Sequence, residues 1–158
     1  MSFYGIQEEA GNVSPLPPQL VHYSSVDQYR QHYETHYCKS QIYTFDGLRV
    51  FFPKQQFKDA FFESASRWRR DKSVFSRQRA ERIDWIKAAL QDSSAGLFVG
   101  WDRDKKTYAF ERRVCIAYEN YVVVLRVAKD KKSATFITAY VADETTIQKI
   151  RSAPRWIL

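Results

Sequence analysis

The sequence predicts an α+β fold in which N-terminal helices pack on a twisted four-stranded antiparallel meander, with an N-terminal hairpin and a short C-terminal helix. Three observations point to it. Asp46-Gly47 stands between QIYTF and LRVFF, two runs rich in β-branched and aromatic residues, which is a hairpin signal. SRQRAERIDWIKAALQD carries apolar residues at helical spacing. From Leu97 onward the apolar period changes to two, in four runs joined by short polar turns.

With 158 residues, 44% of them hydrophobic and 16% aromatic, the chain has room for one domain with a real core. The first stretch, residues 1–40, reads as a polar, partly flexible segment, and residues 41–158 read as a single α+β domain. PLPPQ at 15–19 favours an extended polyproline-type path. Beyond it, Asp27 is a candidate cap for a short helix through Tyr29, Tyr33 and His36.

The hairpin spans 41–52. Pro53 then suits the first position of a helix, where its missing N–H costs nothing. Phe57, Phe61, Ala65 and Trp68 extend an apolar stripe along that helix. Ser76 caps the next one, Arg77 and Glu81 form an i,i+4 pair, and Ile83, Ile86 and Leu90 form its core face. Stepping back four from Ile83 lands on Arg79, which places an arginine on the apolar side. The meander takes 97–101, 106–118, 121–128 and 133–142, and ETTIQKIRS closes the chain as a helix.

Composition excludes several classes. Cys38 and Cys115 are the two cysteines, too few and too far apart for a disulfide framework or a four-cysteine zinc site, and both read as free thiols. The N-terminus lacks the basic and apolar regions of a signal peptide, and no run of about 18 apolar residues occurs, so cytoplasmic residence without a membrane partner is the expectation. Gly96 and Gly100 are isolated, so no glycine-rich phosphate loop is present. His32 and His36 stand at i,i+4 near Cys38, but a second pair of zinc ligands is missing, and no metal or other cofactor is expected. All three histidines lie in the first forty residues, which predicts a folded core without histidine chemistry.

Charge is uneven. Residues 1–52 hold three Lys/Arg against five acids, whereas 53–158 hold twenty-two against thirteen. The surplus concentrates in RWRRDKSVFSRQRAER, where Arg67, Arg69, Arg70, Lys72, Arg77, Arg79 and Arg82 face only Asp71 and Glu81. Trp68 and Phe75 are interleaved, and guanidinium groups beside aromatic planes suit both phosphate pairing and base stacking. A solvated helix face has the same pattern, so both readings stay open. Arg79 must be paired or open onto a cleft, with Glu111 a candidate partner.

Strand alternation puts Ala134, Phe136, Thr138 and Tyr140 on one face, and Tyr108, Phe110 and Arg112 together on a neighbouring strand. A candidate site thus collects Arg79, Arg82, Arg112, Thr138 and Tyr140 where the helix start meets the sheet. Arg67, Arg69, Arg70, Lys72, Arg77, Lys106 and Tyr108 would contact nucleic acid around it.

The order of elements, with RQRAERIDWIKAAL, then KTYAFERRVCIAYENYVVVLRV and FITAY, then KIRSAPRW, resembles the phage-associated branch of the barnase, EndoU, colicin E5/D and RelE group of ribonuclease toxins. The resemblance spans about Arg49 to Trp156. It implies a nuclease-like domain, in which the 2′-hydroxyl attacks the adjacent phosphate without a metal, on RNA, opposed by a neutralising antitoxin or immunity protein. Arg79, Arg82, Arg112, Thr138 and Tyr140 match its motif positions. Where such relatives often carry a histidine, this chain reads KDAFFESASRW. The alternative is a non-catalytic protein of the same fold that binds RNA or an acidic partner through its basic face.

Overall fold

Ser25 rather than Asp27 caps the first helix in the computed structural model, which describes residues 16–66, 71–102, 106–108 and 113–156. The Ser25 side chain accepts from the Gln28 N–H while the Gln28 side chain reaches back, a capping box that leaves Asp27 in the first turn of α1 (Val26–Tyr33). A π-helical turn (Glu34–Cys38) continues it. Tyr29, Tyr33 and Tyr37, spaced four apart, are all buried at the centre of the core, so this part of the N-terminal stretch is integral to the domain. Residues 16–23 run without regular structure along the helices, tied by Val21 N–H to the Glu81 carbonyl at 2.8 Å and by the Trp85 indole N–H to the Pro18 carbonyl at 2.7 Å.

The hairpin forms from β1 (Ile42–Tyr43) and β2 (Arg49–Phe51) around Gly47, whose φ of 93° lies in the left-handed region that glycine tolerates. α2 (Gln56–Phe61) follows, starting three residues after Pro53. It stops at Phe62, short of the Trp68 that the apolar stripe predicted, because Phe62 turns extended and opens β3 (Phe62–Glu63) against β4 (Val74–Phe75). There the Phe62 and Phe75 rings meet edge to face at 5.5 Å.

The next helix is broken in two. Ser76 caps α3 (Arg77–Ala80), and after a turn at Glu81-Arg82 the chain resumes as α4 (Ile83–Gln91). Across the break the count of four back from Ile83 no longer holds, so Ala80, fully buried, takes the core position assigned to Arg79. Glu81 meets His22 at 3.5 Å, and Arg77 donates to the Tyr23 carbonyl, in place of the Arg77–Glu81 pair.

The four-stranded antiparallel meander is not the sheet observed. Six strands form it, in the order β1-β2-β10-β9-β8-β5, from β5 (Phe98–Val99), β8 (Arg113–Tyr118), β9 (Tyr121–Val127) and β10 (Ser133–Val141) together with the hairpin. β2 runs parallel to β10, so the sheet is mixed. A meander would leave the outer edge of β10 with unpaired N–H and C=O groups, and the hairpin supplies partners along Ser133–Thr135. The expected strand at 97–101 is interrupted at Gly100, and of the one expected at 106–118 residues 109–112 lie outside the described residues. β6 (Trp101–Asp102) and β7 (Thr107–Tyr108) form a separate two-stranded ribbon.

Helices α1 to α4 cover one face around Tyr33, Phe52, Phe57, Phe61 and Phe136. On the opposite face α5 (Glu144–Arg151) covers part of the sheet through Ile147 and Ile150 on Cys115, Ala117, Val122 and Val124. Among the described residues no helix is long and apolar enough to cross a membrane.

Candidate functional site

Three sequence-predicted residues come together where α2, α3, β4 and β10 meet. The register of β10 on β9 shifts between Phe136 and Thr138, a β-bulge at Ile137. Its carbonyl accepts from the Gln56 side chain at 2.6 Å, which ties the bulge to α2. Beside it the Thr138 hydroxyl donates to the Asp59 carbonyl at 3.0 Å, and the Lys72 ammonium donates to that same carbonyl at 3.2 Å. One main-chain oxygen near the end of α2 therefore gathers two side chains from elements far apart in sequence.

Arg79 completes the corner. Its Nε lies 3.3 Å from a Glu63 oxygen, with the arginine side chain 18% exposed and the glutamate 46% exposed. Arg79 was expected to pair with Glu111, which lies outside the described residues. Burial holds the Lys72 ammonium below its usual range, and the Arg79 charge pushes the same way against Asp59 and Glu63. Ser76 Oγ accepts from the Arg79 N–H at 3.3 Å, fixing the helix start that carries the guanidinium.

Of the remaining predicted residues, Tyr140, Arg82 and Arg77 do not join. The bulge reverses the alternation of β10, so Tyr140 packs with Ile137 on the α5 side of the sheet, across from Phe136 and Ala139. Arg82 donates to the Gln78 carbonyl and lies over the Trp85 ring at 5.1 Å. Arg77 is drawn to the Tyr23 carbonyl and the Tyr29 hydroxyl. Lys106 is exposed, in a turn with φ of 52°, and Tyr108 belongs to β7. Arg67, Arg69, Arg70 and Arg112 lie outside the described residues.

Two groups were not visible in the sequence. Glu63 falls off the apolar stripe of a helix that was expected to continue, so it read as an ordinary solvated acid. His32 was set outside the folded core, yet its ring is built into it, with a side chain 9% exposed. The Asp84 carboxylate only accepts, so His32 Nε2 donates to it at 2.7 Å, and Nδ1 accepts from the Tyr23 hydroxyl at 2.9 Å. The broken helix brings Asp84 opposite α1, a juxtaposition that a separation of 52 positions conceals. The His36 ring lies tilted against His32 with centroids 4.5 Å apart, and no group of three metal-ligating side chains occurs among the described residues.

Compared with family models, curated proteins and solved structures, the chain matches none.

Proposed function

We propose that the protein is an RNA-binding, metal-independent RNA-cleaving domain of ribonuclease-toxin type that engages the phosphate backbone at the Lys72–Arg79–Glu63 corner. One observation carries this: two cations share a partly buried corner with a half-exposed carboxylate and a hydroxyl. A phosphodiester there adds the negative charge that relieves the repulsion between Lys72 and Arg79.

The chemistry available is transesterification. Glu63 would accept the proton of a 2′-hydroxyl as that oxygen bonds to the adjacent phosphorus. Arg79 would stabilise the charge on the five-coordinate phosphorus, while Thr138, its proton committed to the Asp59 carbonyl, would tie β10 to α2 at the corner. As the bond to the 5′ oxygen breaks, Lys72, held below its usual range, would return a proton to the leaving group. The products are a 2′,3′-cyclic phosphate and a free 5′-hydroxyl. Cytoplasmic residence and a neutralising partner belong to the same proposal.

The test is expression of the chain and incubation of purified protein with RNA in the presence of a chelator. Cyclic-phosphate ends, lost in Glu63→Gln and Arg79→Ala but kept in Tyr140→Phe, are expected. Salt-sensitive binding with intact RNA in every variant would replace cleavage by binding alone.

A further inference from the structure

The part of the outer sheet face that α5 leaves open carries a continuous row of arginines and aromatic rings. Arg113 on β8 stands directly opposite Arg126 on β9, Arg126 opposite Thr135 on β10, and Thr135 opposite Phe51 on β2. The next rank pairs Arg49 with Tyr43 on β1. Val50, Ala134, Leu125 and Val114, which alternate with these residues, all point into the helix-covered core, so the row faces away from it.

Phe51 and Tyr43 are 48% and 42% exposed, among the few large apolar side chains left in solvent. The Arg49 guanidinium lies between them, 4.6 Å from the Phe51 centroid and 5.8 Å from that of Tyr43. Gly100 makes room for the Arg113 side chain, which lies where a Cβ would stand. Like charges directly opposite on neighbouring strands are destabilising, and the Arg113–Arg126 pair is one such contact. Among the described residues the three ion pairs involve none of Arg49, Arg113 or Arg126. Arg49 Nε, moreover, is buried without an acceptor. Lys129, Lys131 and Lys132 add charge in the adjoining β9–β10 turn.

The geometry points to this face as a binding platform for a single-stranded nucleic acid. Unneutralised guanidiniums along a row of strands about 4.8 Å apart suit successive phosphates. Exposed rings and a stacked guanidinium suit splayed bases, which a duplex keeps stacked inside and an acidic peptide does not have. The platform shares no residue with the Lys72 corner and extends the RNA reading to a second contact with the same polymer, without relying on cleavage.

The probe is a fluorescein-labelled oligodeoxythymidine of roughly ten nucleotides, which lacks the 2′-hydroxyl needed for cleavage and is within the footprint range of such surfaces. Its anisotropy is followed from about 50 to 200 mM salt with the full chain. Replacing Arg113 and Arg126 together by Gln is expected to lower the log–log salt slope by about 1.4, at roughly 0.7 per phosphate contact on a single strand. Phe51→Ala and Tyr43→Ala are expected to weaken binding by about fivefold or more, with the slope kept. Phe51→Leu, which retains apolar bulk, is the companion should the alanine variant misfold. Unchanged affinity and slope in folded variants would overturn the platform. So would equal competition by polyglutamate with Phe51→Ala silent, which would assign the face to an acidic protein. Failure of the corner shows separately, as an absence of cyclic-phosphate products with probe binding intact.

Discussion

The Tyr121 hydroxyl of β9 donates to the main-chain carbonyl of Arg79 at 3.1 Å, joining the centre of the sheet to the short helix that carries the corner arginine. Tyr121 is completely buried, and burial drives its phenol well above the usual range, although Arg79 and Arg82 pull the other way. The ring also meets Trp85 edge to face at 6.2 Å. Tyr121→Phe keeps the packing and removes the donor, so a loss of about 1 kcal/mol is expected from urea unfolding. Because the lost bond holds the Arg79 turn, RNA cleavage should fall by more than the unfolded fraction explains.

Lys72 sits where folding disfavours its charge. Its folded pKa lies below the unfolded value, so the unfolded chain binds the proton more readily and stability from this group rises with pH toward the usual 10.5. At neutral pH the charged lysine is therefore a cost. Lys72→Met should leave the unfolding midpoint unchanged or higher while RNA cleavage falls, the pattern of a functional residue held against stability. A lower midpoint with cleavage retained would assign Lys72 to the scaffold.

Burial pushes the Cys115 thiol up to about 11 from 9.0, and Tyr33, Tyr37 and Tyr121 are raised above 10.0 for the same reason. For each, the folded pKa exceeds the unfolded one, so the stabilisation is whole below the unfolded value and is lost as pH rises through the folded one. Denaturant midpoints should be flat near pH 8 and fall steadily above about 9 to 10. Cys115→Ala should remove the earliest part of that fall. In native protein Cys115 should react with a thiol reagent far more slowly than after unfolding, since its thiolate is scarce and shielded.

His32 ties the Tyr23 hydroxyl to Asp84, and Tyr23 belongs to the strap of residues 16–23. His32→Ala leaves both partners unmet and should cost about 1–3 kcal/mol. Limited proteolysis should then cut the strap faster than in the parent chain. Equal cleavage rates would show that the strap's other ties, among them Trp85–Pro18, Val21–Glu81 and Arg77–Tyr23, hold it without His32.

Local patterns located the Asp46-Gly47 turn, the Ser76 cap, and β9 and β10 to within a residue or two, because a turn, a cap and a period-two run depend on neighbours in the chain. They failed where one residue changes the phase. The break at Glu81-Arg82 moved Arg79 from the core to Glu63, and the bulge at Ile137 sent Tyr140 to the other side of the sheet. Of the candidate site, Arg79, Thr138 and Lys72 were legible as residues. That they share a corner, and that Glu63 belongs with them, was not.

By itself, then, the sequence determined an α+β chain with aromatic-rich helices, a strand-rich second half and a basic surplus in its C-terminal two thirds. Only the tertiary structure decided that β2 would add to β10 in parallel, and that Arg113, Arg126, Thr135 and Phe51 would align across four strands. Strand pairing joins residues tens of positions apart, and its register follows from filling a shared core and satisfying an open sheet edge, neither of which any short stretch of sequence contains.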